Sequence, residues 1–281
     1  MPTQIIKLNG YFFVVDCFQH RVIYSNDLSK EIKDWNVIDY EFAGPHSIAS
    51  DGDIYVVDNA GRNEILVFDA SFRRVQTISG VGIRPHKTIY TNNRFYSISS
   101  QTATIYCYQK IGGVLVEEYH KTLDFIESNY IRSIKMIDGK MHFVIGNNLI
   151  VVANHLSGNF EVLESYSLVG AFAGLIDIEK FNGEFYISAM GDSRYNIPIS
   201  MTKAISLNDY VTGTYQNIYD QQSMEDIPYF MYVGGDKMYF TEAGETQNSV
   251  LSIDTNGNKT IYHSFLGLLP GSIKRRETYP R

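Results

Sequence analysis

Four side chains in this 281-residue chain have the chemistry that an anion site or a catalyst needs: His46, His86, Arg132 and Tyr229. An imidazole exchanges a proton near neutral pH, so His46 or His86 could serve as a general base. The planar fork of a guanidinium holds a carboxylate or a developing oxyanion, the role open to Arg132. Tyr229 could donate or accept a proton beside it. Three of the four follow a proline, as Pro45-His46, Pro85-His86 and Pro228-Tyr229, and proline fixes φ where a strand begins. Each of the four lies six or seven residues before the second residue of a turn dipeptide, and the same count at the two remaining turns gives Gln4 and Ile176. A slip of one residue in that last unit would put Asp177 in place of Ile176.

Residues this far apart in sequence meet only if repeated units bring them together. The turn pairs Asn9-Gly10, Asp51-Gly52, Asn92-Asn93, Asp138-Gly139, Asn182-Gly183 and Gly234-Gly235 recur at roughly 40–50 residues, the period of propellers and solenoids. Each is of the type that accepts positive φ at both positions, as a tight hairpin turn requires. Behind each runs an alternating aromatic and aliphatic stretch, for instance Tyr11 to Asp16, Asp53 to Asp58 and Lys140 to Ile145, that reads as a second strand buried on both faces. A third strand follows, as in Arg21 to Tyr24 and Glu64 to Phe68, and then a poorer outer one. A four-stranded unit cannot bury its faces alone, so the units should close into a ring. The fold class expected is all-β, a six-bladed β-propeller forming a single domain over 1–281, with blades at roughly 1–42, 43–82, 83–128, 129–170, 171–225 and 226–281. The innermost strands would line a central channel.

Composition supports this and excludes other classes. The 21 Tyr and 16 Phe against 7 Pro favour pleated strands. A formal charge of -7 argues against a phosphate-backbone partner, because nucleic acid calls for a clustered basic face and only Lys274-Arg275-Arg276 is locally basic. No apolar run approaches the ~18 residues that span a bilayer, so no membrane partner is expected. Cys17 and Cys107 fall on different units, which suits two free thiols better than a disulfide framework. Met1-Pro2-Thr3-Gln4 leads straight into a strand pattern without the features of a signal peptide, and a cytoplasmic location is expected.

The stretches Asp16-Cys17-Phe18-Gln19-His20-Arg21-Val22-Ile23-Tyr24 and Asp58 to Phe68 resemble the NHL repeat, with its Asp, short polar loop, Asn-Arg-like pair and aliphatic-aromatic strand. The resemblance is good in the first two units and degenerate in the other four, and the NHL family includes enzymes, scaffolds and binding modules. Gly44-Pro45-His46-Ser47-Ile48 is also similar to Pro-His-Ser segments of the peptidyl-hydroxyglycine amidating lyases, propellers that hold zinc by three channel histidines on alternate blades. Here His46 and His86 sit on adjacent units with no third, so zinc would need a carboxylate or waters to complete its shell. The gluconolactonase-like propellers instead hold calcium with oxygen ligands, which this ring offers only if Asp177 turns inward.

Two functions from different classes follow. In the first, a small polar or anionic molecule binds at the channel mouth and is transformed, if at all, by lyase or hydrolase chemistry. His46, His86, Arg132 and Tyr229 would stand at its centre, with Gln4, Asp16, Asp58, Arg62, Asp177, Arg194 and Glu242 as ligand-binding residues and zinc or calcium as the metal if one is used. In the second, the propeller is a non-catalytic scaffold whose exposed aromatics, Tyr195, Tyr210, Tyr215 and Tyr219, meet a protein or glycan partner. A deep polar pocket would favour the first; a plugged channel with a flat aromatic face would favour the second.

Overall fold

A computed structural model describes residues 1–39, 41–126, 130–170, 172–244 and 248–265. Six antiparallel sheets stand in a ring, each built from consecutive stretches of chain, and the protein is a six-bladed β-propeller. The first blade runs from its inner strand Pro2–Leu8 through Tyr11–Asp16 and Arg21–Ser25 to the outer Asn36–Asp39. The inner strands of the next four blades are Ile48–Ser50, Pro85–Thr91, Ile131–Ile137 and Leu175–Phe181, and in the sixth two short pieces, Ile227–Pro228 and Tyr232–Gly234, share that place. Lys274-Arg275-Arg276 lies outside the described residues. Among those described, no helix is long and apolar enough to cross a membrane.

The second strands are buried on both faces because each blade packs against its two neighbours. Phe13, Val14 and Val15 have no exposed surface, nor do Phe143, Val144 and Ile145. One apolar cluster fills each seam. Between the third and fourth blades it joins Ile98 and Cys107 to Met141 and Phe143, and between the sixth and first it joins Val250 and Phe265 to Ile5, Val14 and Trp35. The exposed Tyr expected to make a flat face are mostly core instead: Tyr210 is fully buried among Leu207, Phe172 and Ala204, and Tyr215 and Tyr219 are half-buried. Only Tyr195 of that group stands out in solvent.

Four of the six turns have the backbone expected of them, with positive φ at both residues of Asn9-Gly10, Asn92-Asn93, Asp138-Gly139 and Asn182-Gly183. The other two differ for local reasons. In the second blade the Asp51 carboxylate accepts from the backbone N–H groups of Asp53 and Ile54, a side-chain cap that widens the turn so that Ser50 pairs with Tyr55. In the sixth, Gly234 pairs with Lys237, so the turn sits one residue later and only Gly235 has positive φ. The fifth blade is longer because a short helix, Leu207–Thr212, capped reciprocally by Ser206 and Asp209, precedes its two-residue outer strand Gln216–Asn217.

Candidate ligand site at the channel mouth

The inner strands do not pair evenly along their length. In the third blade Lys87 pairs with Ile98 and Pro85 with Ser99, which leaves His86 as an extra residue between them. The fourth and fifth blades repeat this with Arg132 and Ile176, and the first with Thr3. Such bulges swing one side chain out of the regular pleat. By these pairings the counterpart of His86 in the first blade is Thr3, and Gln4 is the counterpart of Lys87, Ser133 and Asp177 one position further along. Ile176, not Asp177, occupies the bulge in the fifth blade.

The residues one step along fasten neighbouring blades. Gln4 Oε1 accepts from the Ile48 N–H at 2.7 Å, and Asp177 accepts from the Met231 N–H at 2.8 Å and from the Ser133 hydroxyl. Lys135 lies 3.3 Å from the Asp177 carboxylate and 3.0 Å from Glu179. Asp58 is fully buried and accepts from the backbone N–H groups of His46 and Ser47, each at 2.7 Å, and from the Ser47 hydroxyl. Burial pushes its carboxyl up to about 7 against the pull of these donors. Asp16 is likewise buried and paired with Arg21 and the Met1 amino group, both at 3.0 Å. Glu242 accepts from the Ser249 hydroxyl and the Glu225 N–H, and burial raises its carboxyl. These acids hold loops in place and have their oxygens occupied. Arg62 donates to the Glu41 carbonyl at the surface.

Two of the bulge residues, His86 and Arg132, converge with His46 and Tyr229. The rings of His46 and His86 are 4.1 Å apart between centroids, and the Tyr229 hydroxyl lies 3.3 Å from His86 Nε2 and 3.4 Å from Arg132 Nη1. His86 Nδ1 is 2.9 Å from the Arg132 carbonyl, which can only accept, so Nδ1 carries the proton and Nε2 accepts from Tyr229. The tyrosine oxygen in turn accepts from Arg132. These bonds close a loop from the Arg132 side chain through Tyr229 and His86 back to the Arg132 backbone. His46 Nδ1 likewise donates to the Gly44 carbonyl at 2.9 Å, which leaves Nε2 as the acceptor nitrogen, and the Cys17 sulfur lies beside the ring at 3.7 Å from Nδ1 and 3.9 Å from Nε2. Burial holds both imidazoles neutral, His46 pushed down to about 4 and His86 well below the usual range, with the nearby Arg132 charge acting in the same direction. Burial also keeps the Cys17 thiol and the Tyr229 phenol protonated.

Arg132 is the cation of this cluster, and its partners are weak. Nη2 reaches the Met190 sulfur at 3.1 Å, the Tyr130 ring is 4.9 Å from Cζ, and buried Nε has no partner among the described residues. Met190 belongs also to the wall of an 820 Å³ cavity bounded by Gly174, Asp192, Arg194, Asn196 and Pro198. Arg194 there is exposed and paired with Asp192 at 2.7 Å. The arrangement does not suit a metal. Both nitrogens of His86 are engaged, a guanidinium lies alongside, and the Asp177 oxygens are taken by Ser133, Met231 and Lys135. Among the described residues no three His, Cys, Asp or Glu side chains form a group that could hold a metal ion.

No protein-family model matches the sequence, and no curated protein does. Solved structures do match over nearly the whole chain. The structure described as streptogramin B lyase has a TM-score of 0.65 at 16% identity, covering 93% of this chain and 82% of the other. Virginiamycin B lyase from Staphylococcus aureus gives 0.62 at 13%, covering 93% and 83%. A Bacteroides uniformis protein described as a 6-phosphogluconolactonase gives 0.62 at 11%, covering 90% and 81%. What these share with the chain is the propeller. At such identities the likeness concerns the fold alone, and function must be argued from the side chains.

Proposed function

We propose that the protein binds a small polar or anionic molecule at the mouth formed by His46, His86, Arg132 and Tyr229. The observation that carries this reading is the state of Arg132. A half-buried guanidinium whose N–H groups meet, among the described residues, only a phenol and a thioether, with a buried Nε left without a partner, has no counter-anion beside it. An oxyanion or carboxylate beside it would supply one, and the cavity beyond Met190 is of a size to hold the rest of a small ligand.

If the bound molecule reacts, the geometry divides the work. His86 has both nitrogens committed and serves as a support for Tyr229. His46 is the proton acceptor, through the Nε2 lone pair that its bond to Gly44 exposes. Arg132 would steady negative charge on the substrate oxygen. This is the elementary equipment of a lyase or hydrolase, and lyase and lactonase are the activities named for structures sharing the fold.

Thermal unfolding in the presence of inorganic phosphate, gluconate or citrate tests the binding step. At a hundredfold excess over Kd, a ligand of the folded state should raise Tm by about 5 °C for a domain of this size. The shift should vanish in Arg132→Met. A shift that persists in that variant, or no shift with any of these anions, would count against the reading.

A further inference from the structure

On the far side of the histidines the channel opens again. A 380 Å³ cavity runs from the middle of the inner strands toward their hairpin turns, and its wall includes Ile6, Ile48, Val233, Lys87, Lys135 and Glu179. Lys87 directly follows His86 and is 2% exposed. Its amine lies 3.6 Å from the centre of the Phe230 ring, and among the described residues no hydrogen bond or ion pair joins it to an oxygen. Lys135 explains why. It reaches both nearby carboxylates, Asp177 at 3.3 Å and Glu179 at 3.0 Å, and donates to the Met231 carbonyl at 2.6 Å. The acids that could have neutralised Lys87 are already engaged.

We propose that Lys87 is a nucleophilic amine that condenses with a small aldehyde or ketone in this cavity. The amine nitrogen adds to the carbonyl carbon and loses its two protons. The carbonyl oxygen departs with them as water, C=N replaces C=O, and no electrons are exchanged. A neutral carbonyl compound suits the cavity better than an anion, since Asp177 and Glu179 outnumber the single charge of Lys135 once Lys87 is neutral. Desolvation lowers the amine to about 7 and Lys135 adds to that, while Asp177 and Glu179 on the fifth blade and Asp58 on the second pull the other way. An ordinary lysine at pH 7 keeps almost none of its amine free, whereas here about half would be. Amines activated in this way by desolvation are the ones that form Schiff bases.

Reductive trapping reads this directly. The intact protein is treated with propionaldehyde and sodium cyanoborohydride near pH 7, and each alkylated lysine is located by peptide mass mapping. Lys87 should be modified at least about tenfold faster than Lys33, which is 69% exposed in its side chain and serves as an internal reference. The rate at Lys87 should rise through an inflection near 7, whereas that of Lys33 climbs throughout. Lys87→Met should lose the fast site and retain the slow ones. Because both lysines are read in the same wild-type sample, the comparison stands even if that variant folds poorly. Modification of Lys87 no faster than Lys33 would overturn the proposal.

Discussion

His46 and His86 are neighbours that could not both carry charge beside Arg132, and the fold resolves this by keeping both neutral. The consequence is a defined acid sensitivity. The unfolded chain takes up a proton on His46 near pH 6.5, while the folded protein resists until about 4. Protons therefore favour the unfolded state in that window. Stability should be constant with respect to this residue above pH 6.5 and decline as pH falls toward 4, by up to about 3 kcal/mol. Denaturant titrations of wild type and His46→Gln near neutrality and near pH 4.5 check this, with a smaller acid loss expected in the variant. The same neutrality suits the proposed site, because a neutral imidazole accepts a proton and does not compete with Arg132 for an anion. Sequence reading found these four residues from their types and their count before the turns. It did not distinguish His86, locked between two oxygen partners, from His46, whose Nε2 has only the Cys17 thiol near it, since that depends on carbonyls contributed by Arg132 and Gly44.

At the scale of the strand, a bulge places two of the four site residues, His86 and Arg132. Regular pairing would alternate successive side chains between the two faces of the blade, and the extra residue breaks that alternation where His86, Arg132 and Ile176 stand. Counting back from turns reached these positions in the later blades. It missed Thr3 in the first, where the count fell on Gln4, because a bulge leaves no compositional mark. The turns themselves were legible wherever two residues had to take positive φ. Asn93 has φ +60 and Asn92 +49, and the amide side chain is what makes such values tolerable. Asn93→Ala should cost about 1 kcal/mol and Asn93→Gly little or nothing, measured by the denaturation midpoint. In the second blade the turn depends on Asp51 as a cap, which the Asp-Gly pair alone did not distinguish from a tight hairpin.

Across the whole molecule, the ring closes without exchanging a strand among the described residues. The sixth blade supplies its own strands and meets the first through packing: Phe12 lies 5.9 Å from Tyr239 between ring centroids, the Phe230 N–H donates to the Thr3 carbonyl at 3.2 Å, and Trp35 packs in the same cluster as Val250 and Phe265. Pro270-Gly271-Ser272-Ile273, which echoes the inner-strand motif, lies outside the described residues. A seam of this kind has side-chain burial and a few hydrogen bonds to resist opening, among them His263 Nε2 to the Leu28 carbonyl at 2.6 Å. Trp35→Ala should cost about 3–5 kcal/mol, as in the interior of any seam, and should also raise proteolytic cleavage in the first and sixth blades before the others. Limited proteolysis with fragment mapping separates this from a uniform loss of stability.

The period, the turn dipeptides and the alternating strands determined the six-bladed ring by themselves, because each blade's local pattern repeats one physical requirement: a tight hairpin followed by a strand apolar on both faces. The residue types likewise pointed to a polar mouth. What only the tertiary structure decided is which polar groups remain available. Asp16, Asp58, Asp177 and Glu242 read as rim or channel acids in the sequence, but folding surrounds them with backbone N–H groups, hydroxyls and cations that use their oxygens. The balance left over, among the described residues, is an arginine with weak partners at one end of the channel and, at the other, a lysine whose amine meets only the Phe230 ring. Their deficits arise from contacts between blades distant in sequence, where the cost of burying a charge depends on every group around it.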